Sequence, residues 1–201
     1  MRGRGFFIAF EGIDGAGLTT QAILLERYLR ERGFNVILTK EPTDGLLGGL
    51  IKAALRGEWK TDPATIQLLF AADRSHHVRH NILPALEEGK IVICDRYVLS
   101  SLAYGSVDLD YRWLYEINKV FPVPDITIIL DLSPQIALSR IARSRFSYEL
   151  FENSHKLNLV RKNYLKLAGE YGNSVIIDAS KSIDDVHSEV VRHVERVIKG
   201  S

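Results

Sequence analysis

The chain has 201 residues, of which 46% are hydrophobic and 25% are charged, and its formal net charge at pH 7 is +1. This length is sufficient for one domain with a sizeable core and is short for two independent domains. The composition argues against a disordered chain, and the near-neutral charge gives no indication of nucleic acid or an anionic membrane as a partner.

The N-terminal segment and the cysteine content bear on the cellular compartment. Residues 1–5 are basic, but the apolar stretch after them is short and ends at Glu11, so we expect neither a signal peptide nor a membrane span. The single cysteine, Cys94, lies in an apolar run and is expected to be a buried small side chain. A lone thiol is compatible with a reducing compartment, and we therefore expect a cytoplasmic protein.

Five short apolar runs along the chain predict β-strands. Continuous apolar runs of this length are typical of strands that are buried on both faces, as in a parallel sheet. The runs cover residues 6–10, 35–39, 91–94, 126–130 and 175–177.

Helical patterns alternate with these runs. Residues 19–32 carry apolar side chains on one face and stop at Gly33, which is a favourable residue just beyond a helix end. Residues 62–63 are an aspartate and a proline, the pair that favours a helix start, and they open a long helix with a break expected near Pro84. A serine and a proline at 133–134 open another helix in the same way.

Strands that alternate with helices through right-handed crossovers predict a doubly wound α/β fold. Ligands bind such sheets beyond the carboxyl ends of the strands. Acidic residues follow these ends at Glu11, Glu41, Asp95, Asp131 and Asp178. We expect them at the functional edge, and the alternative is that each is a helix cap or a turn former, which is equally open for Asp131 and Asp178 taken singly.

A glycine-rich loop between the first strand and the first helix has most of a phosphate-binding P-loop. Gly12 and Gly17 have the P-loop spacing, Thr19 supplies the hydroxyl for Mg²⁺, and Leu18 stands where the pattern has lysine. Backbone N–H groups of such a loop turn around phosphate oxygens, and the helix N-terminus adds its positive end. The positions that we expect to contact ATP are Gly12, Ile13, Asp14, Gly15, Ala16, Gly17, Leu18, Thr19 and Thr20.

The leucine at position 18 leaves several activities open. Removing one electrostatic contact to the transferring group costs on the order of 10²–10³ in rate. The chain is therefore a slow kinase, a kinase whose charge comes from elsewhere, or an ATP-binding protein without transfer; an engineered Leu18 is the fourth alternative.

Five segments read in order resemble thymidylate kinases. The resemblance extends over residues 6–178, and its segments are 11–20, 39–42, 68–78, 95–104 and 124–131. It implies a three-layer P-loop kinase fold with a five-stranded parallel sheet, helices on both faces and a small lid. It also implies one domain over 1–201 with the lid at about 140–155, transfer of the ATP γ-phosphoryl group to dTMP with Mg²⁺, and a homodimer.

The resemblance also implies roles for residues of the acceptor site. Phe70 would stack on the thymine ring, and Arg74, four residues later on the same helix face, would donate to an exocyclic oxygen. Arg96 would hold the acceptor phosphate with its planar fork, and Asp95 would help to bind Mg²⁺. Asp14 would bind the sugar. The alternatives are a core phenylalanine, a surface arginine, a strand-end cap and a turn aspartate.

Further implied residues lie around the sugar, the acceptor phosphate and the lid. Tyr104 would disfavour a ribose 2′-hydroxyl, or else is packing, and Lys52 would meet the acceptor phosphate. Relatives with glycine at the position of Gly15 carry catalytic arginines in the lid, which indicates Arg143 and Arg145 here. The alternative is a basic, solvated helix end.

Two further departures from the family pattern keep other functions open. Leu150 stands where relatives have arginine, and Gly105 stands where they have glutamine or threonine that helps to recognise the base. A kinase with another nucleotide or deoxynucleoside acceptor, and a nucleotide-binding protein without turnover, are therefore the competing hypotheses. The compensating cation is Arg143, Arg145 or Lys40, and the sequence does not distinguish them.

Overall fold

The computed structural model describes residues 5–144 and 150–199, with the side chains of residues 5–142 and 154–199. All strand pairs in the sheet are parallel, and the strand order is β2-β3-β1-β4-β5. The strands are β1 (Phe6–Gly12), β2 (Val36–Lys40), β3 (Ile91–Asp95), β4 (Ile126–Asp131) and β5 (Ser174–Asp178). The predicted parallel α/β sheet is confirmed, with strand ends moved by one or two residues.

Helices connect these strands and cover the sheet. They are α1 (Leu18–Glu31), α2 (Leu46–Leu55), α3 (Pro63–His77), α4 (Leu83–Glu87), α5 (Val98–Gly105), α6 (Tyr111–Asn118), α7 (Pro134–Ser144), α8 (Leu150–Glu170) and α9 (Ile183–Lys199). No helix in the described ranges is both long and apolar enough to cross a bilayer.

The ends of two predicted helices have the expected local chemistry. The side chain of Asp62 accepts a hydrogen bond from the backbone N–H of Thr65 at 3.0 Å, which caps α3. The interruption expected near Pro84 is a π-helical turn over Val78–Ile82, immediately before α4. Proline has no N–H to donate, and the wider turn ends before this residue.

Alternate residues of β1 face the two covered sides of the sheet. Phe7 and Ala9 pack with Ile82 of the π-helical turn in the smaller cluster of the core. Ile8 and Phe10 belong to the larger cluster, whose helical members include residues of α1, α5, α8 and α9. The core therefore lies on both faces of the sheet, as the three-layer arrangement requires.

The carboxyl ends of the strands meet at one edge, and two of their acidic residues have structural partners. Arg161 of α8 donates from Nε and Nη2 to the two carboxylate oxygens of Asp131, at 2.6 and 2.7 Å. Asp178 accepts from the backbone N–H and the hydroxyl of Ser180. Asp178 thus forms a turn, which is the alternative that the sequence left open for it. Asp131 holds a helix against the sheet, a role that is neither the helix cap nor the turn former of that alternative.

Candidate active site

The loop between β1 and α1 has the backbone shape that its glycines predict. Gly17 has φ of 94° and directly precedes α1, and this left-handed conformation is one that glycine adopts without steric cost. A Cβ on Gly12 would lie 2.7 Å from the carbonyl oxygen of Leu130 in β4. The loop can therefore lie close against β4 only with glycine at position 12.

A cavity of about 870 Å³ opens over this loop and the N-terminus of α1, and we call it the phosphate cavity. Eight of the nine positions predicted to contact ATP line it, and Gly12 is the exception. Lining residues from later in the chain include Arg140 of α7 and Ile183 of α9. Because α1 points its N-terminus at this space, the cavity suits a negatively charged ligand.

Leu18 is the first residue of α1, and its side chain belongs to the hydrophobic core. Only 5% of the residue is exposed, and it packs in the larger core cluster. Its Cδ2 would lie 3.4 Å from a Cβ on Gly12. An aliphatic side chain gains free energy by burial, whereas a lysine here would direct its ammonium group to solvent. The substitution therefore removes a charge and adds core packing.

Positive charge remains around the phosphate cavity. Lys40 and Lys52 both contact the carboxylate of Asp44, at 3.3 and 2.5 Å. These two ion pairs lower the pKa of Asp44, with the hydrogen bond from Lys52 as the largest cause. The described basic residues that line the cavity are Lys40, Lys52, Arg96, Arg140 and Lys181.

The two residues predicted to bind the metal lie side by side. The hydroxyl of Thr19 donates to Oδ2 of Asp95 at 2.5 Å, at the start of α1 and the end of β3. Both line the phosphate cavity. A hydroxyl and a carboxylate are oxygen donors of the kind that Mg²⁺ accepts beside phosphates and water, so these residues fit that ion.

A second cavity of about 370 Å³ lies between α3 and α5, and we call it the acceptor cavity. Of the predicted acceptor-site residues, Asp14, Phe70, Arg74, Arg96 and Tyr104 line it. The sixth, Lys52, lines the phosphate cavity instead. The residues that line both cavities are Asp14, Glu41, Pro42 and Arg96. The two spaces therefore meet at one junction.

Arg96 lies at this junction. It has φ of 71°, a conformation that non-glycine residues rarely adopt and that concentrates at functional sites. Its Nη2 donates to Oδ1 of Asp14 at 2.7 Å, and its Nη1 donates to the carbonyl oxygen of Gly12 at 2.9 Å. The guanidinium is thus held beside the phosphate loop with a fixed orientation, suited to bidentate contact with phosphate.

Tyr104 completes this group. Its hydroxyl donates to Oδ2 of Asp14 at 3.1 Å and accepts from the backbone N–H of the same residue at 3.0 Å. Burial raises the pKa of the Tyr104 hydroxyl, so the group remains a neutral donor at physiological pH. Asp14, which the sequence left as either a sugar ligand or a turn residue, is thereby oriented by two side chains of the site.

Arg74 is a buried residue rather than the surface arginine that was the alternative. It is 1% exposed, and its Nε donates to Oε2 of Glu41 at 2.8 Å. The other acceptors of its guanidinium are the side chain of Asn118, the carbonyl oxygen of Tyr97 and the hydroxyl of Ser101. Four of its five N–H groups thus donate to protein atoms, and the residue still lines the acceptor cavity beside Phe70.

Glu41 and Glu11 are buried acids that the sequence placed at the functional edge of the sheet without an individual role. Glu41 is 4% exposed and also contacts Nδ1 of His77 at 3.0 Å. Glu11 accepts hydrogen bonds from the backbone N–H of Tyr97 and the hydroxyl of Ser100. Burial raises the pKa of Glu11, opposed by these hydrogen bonds and by the charge of Arg96. The sequence shows that both acids follow strands. It does not show their hydrogen-bond partners, because these partners are distant along the chain.

Gly105, where the resemblance leads one to expect glutamine or threonine, is closely packed. A Cβ at this position would lie 2.9 Å from Cδ1 of Leu114 and 3.1 Å from Cδ of Gln67. Gln67, which belongs to none of the motifs in the sequence, lines the acceptor cavity on the helix face of Phe70 and Arg74. Gln67 precedes Phe70 by three residues and Arg74 by seven, and this helical spacing could have indicated it from the sequence.

The predicted lid arginines lie outside the described side chains. The backbone of Arg143 is in the last turn of α7, but its side chain is not described, and Arg145 lies wholly outside the described residues. The side chain of Leu150 is likewise outside them. The roles proposed for Arg143 and Arg145 therefore stay predictions.

A parallel sheet with a phosphate loop at its carboxyl edge, an arginine between two cavities and a hydroxyl–carboxylate pair defines a P-loop nucleotide kinase. The sequence model of the family described as thymidylate kinase matches residues 10–190. The chain therefore belongs to the thymidylate kinase family.

Individual relatives match nearly the whole chain. A probable thymidylate kinase of Pyrococcus horikoshii is 47% identical, with 98% of this chain and 99% of that protein covered. A probable thymidylate kinase of Thermococcus gammatolerans is 45% identical, with 96% and 98% covered. Probable thymidylate kinase 1 of Saccharolobus solfataricus is 41% identical, with 94% and 96% covered.

Proposed function

We propose that this protein is a dTMP kinase that transfers the γ-phosphoryl group of ATP to dTMP, giving dTDP and ADP. The observation that carries the proposal is the meeting of the phosphate cavity and the acceptor cavity at Asp14 and Arg96. Phosphoryl transfer needs the donor and acceptor groups in line, with positive charge between them. The junction supplies that charge through Arg96. Names of the relatives support thymidylate as the acceptor.

Each predicted site residue has a role in this proposal. The loop over residues 12–20 binds the phosphates of ATP through backbone N–H groups. Thr19 and Asp95 would hold Mg²⁺, which would supply positive charge beside the phosphates of ATP. Arg96 orients the acceptor phosphate, and Lys52 adds charge from the side of the phosphate cavity.

The base and sugar roles are assigned to the residues of the acceptor cavity. Phe70 stacks on the base, and the remaining N–H of Arg74 donates to an exocyclic carbonyl oxygen. Asp14 accepts from the sugar hydroxyl, and Tyr104 fills the space beside the sugar C2′ atom. The buried network around Arg74 supports its role because it fixes the guanidinium before a ligand arrives.

The charge that Leu18 does not supply comes from neighbouring cations in this proposal. Lys40 and Lys52 already lie at the phosphate cavity, where they share one carboxylate partner. Arg143 and Arg145 add to them from a lid over residues of about 140–155, within a single domain of residues 1–201. An arginine that closes on the transferring group supplies catalysis of the size that a missing lysine removes.

The test is ADP production from ATP and Mg²⁺, with and without dTMP. We expect ADP release that requires both Mg²⁺ and dTMP, and dTDP as the second product by chromatography. An acceptor panel of dTMP, dUMP, dCMP and thymidine accompanies it. A better acceptor than dTMP would replace the proposed substrate, and failure of every pyrimidine monophosphate would overturn the kinase proposal.

A binding protein without turnover is the second candidate, and the buried Leu18 is the observation that favours it. It predicts that ATP and dTMP bind while no ADP forms, even at high protein concentration. Isothermal titration of each nucleotide beside the ADP assay separates the two functions. Binding without turnover would favour the second candidate.

We also propose a cytoplasmic homodimer, following the family. Exposed leucines on two adjacent helices offer apolar surface for a second copy: Leu46 and Leu50 of α2 are 83% and 43% exposed, and Leu68 of α3 is 51% exposed. Light scattering after size-exclusion chromatography gives the mass. Leu50→Asp is expected to yield a monomer, and an unchanged dimer would exclude this face.

A further inference from the structure

Gln67 is a buried polar side chain at the wall of the acceptor cavity. It lies on α3, is 7% exposed and lines the cavity together with Phe70 and Arg74. Its Oε1 atom has no hydrogen-bond partner among the described residues. A buried carbonyl oxygen without a partner carries an unfavourable desolvation cost, and a ligand that donates to it would recover that cost.

The space around this carboxamide depends on Gly105. A Cβ at position 105 would lie 3.1 Å from Cδ of Gln67, which is tighter than ordinary van der Waals contact. Two methyl groups of Leu114 already pack at 2.9 Å from the same point. A side chain at position 105 would therefore have to displace the carboxamide. Glycine allows Gln67 to occupy the wall of the cavity.

Gln67 and Arg74 differ in what they can offer a base. Arginine is always a donor, so Arg74 favours a carbonyl oxygen on the ligand. The carboxamide of Gln67 has an acceptor oxygen as well as N–H donors, and with this oxygen towards the base it favours an adjacent N–H. Thymine and uracil present this pair as the O4 carbonyl and the N3–H group. Cytosine presents the reverse pair, an exocyclic amine and an unprotonated N3.

We propose that Gln67 is the residue that reads the N3 position of the acceptor base and so selects thymine and uracil against cytosine. The inference rests on the proposed function, because it takes the acceptor cavity as the site of a pyrimidine monophosphate. It assigns Gln67 a direct contact with the ligand. Gly105 is a positioning residue that acts through Gln67.

The test uses equilibrium binding of dTMP, dUMP and dCMP to the full chain, so that it does not depend on turnover. Gln67→Met keeps the length and volume of the side chain and removes the acceptor. We expect it to weaken dTMP and dUMP binding by about tenfold each and to leave dCMP nearly unchanged. The ratio of dTMP to dUMP affinity should stay at its wild-type value, because the base methyl group is not read by Gln67.

Stability and a second variant separate ligand reading from a structural role. Gln67→Met should melt at the same temperature as the parent or higher without ligand, since it removes an unpaired buried carbonyl. Gly105→Ala should shift the dTMP to dCMP ratio in the same direction as Gln67→Met, and should shift it no further in the double variant. Leu68→Met on the same helix is the matched control, because the side chain of Leu68 is half exposed.

The outcomes distinguish this inference from the function on which it rests. If the parent binds dTMP but Gln67→Met keeps the wild-type ratio of dTMP to dCMP, Gln67 does not read the base and the inference is overturned alone. If the parent binds no pyrimidine monophosphate, both the proposed function and the inference are overturned. A smaller ratio of dTMP to dCMP affinity in Gln67→Met, with an unchanged melting temperature, supports the inference.

Discussion

Nη2 of Arg96 donates to Oδ1 of Asp14 at 2.7 Å, across 82 residues of sequence. This ion pair joins the end of β3 to the phosphate loop. It places a positive charge at the junction of the two cavities, and the same carboxylate contacts Tyr104. Hydrogen bonds to Asp14 therefore link the phosphate loop to Arg96 and to the wall of the acceptor cavity.

Arg96→Lys keeps the charge at this junction but loses the planar fork. A lysine cannot contact Asp14 and the carbonyl of Gly12 while also presenting two donors to a phosphate. We expect kcat/KM for dTMP to fall by about 10²-fold, with a small change in KM for ATP. Steady-state kinetics with each substrate varied separately will measure this. Arg32→Lys on the surface is the control. An equal loss of kcat/KM for dTMP and for ATP in Arg96→Lys would contradict the assigned role.

Leu18→Lys tests what the missing ammonium group costs. The variant is expected to change kcat by less than about tenfold, because neighbouring cations already supply the charge that a lysine would bring to the β- and γ-phosphates. It should lower the free energy of unfolding by about 1–2 kcal/mol, since a buried leucine is replaced by a side chain whose end must reach solvent. Urea denaturation and ADP production measure the two effects.

Leu18→Met is the control for that pair of measurements, since it keeps an apolar side chain in the core and adds no charge. It should change neither kcat nor stability strongly. If Leu18→Lys instead raises kcat by about 10²-fold, the neighbouring cations do not supply the missing charge.

Asp131 and Arg161 should matter for stability rather than for binding. The two parallel hydrogen bonds between them hold α8 against the end of β4. Arg161→Lys loses this paired geometry and is expected to lower the free energy of unfolding by about 1 kcal/mol. Chemical denaturation measures the loss, with the exposed Arg192→Lys as the control. A change in dTMP affinity at unchanged stability would instead assign Asp131 to the site.

His187 gives a prediction for the dependence of stability on pH. Burial lowers the pKa of His187 from its ordinary value of 6.5, opposed by the charge of Asp184. Below that ordinary value the unfolded state binds more protons than the folded state, so the free energy of unfolding falls as pH falls from 7 to 5.

Removing the imidazole should remove this part of the pH dependence. His187→Leu is expected to lose less stability than the parent between pH 7 and pH 5, measured by urea denaturation at both values. His155→Leu, at an exposed position, should behave like the parent. A parallel shift of both variants would contradict the assignment to His187.

The elements of the fold and the phosphate loop could be predicted because their signals are local. Local patterns predict the backbone conformation of the few residues that carry them. Examples are an apolar run of five residues, an aspartate before a proline, and two glycines at fixed spacing. The five strands, the capped start of α3 and the positions around the phosphate cavity follow from such patterns. The positions of the acidic residues that follow the strands can also be read directly from the sequence.

Which residues share a site was decided by the tertiary structure. The sequence showed a leucine at position 18 but not that its side chain enters the core, and an arginine at position 74 but not its burial against Glu41. Gln67 became a candidate only when Gly105, 38 positions later, proved to lie against it. These facts depend on the packing of distant segments, because a side chain's partners are fixed by which elements meet in space and not by its neighbours along the chain.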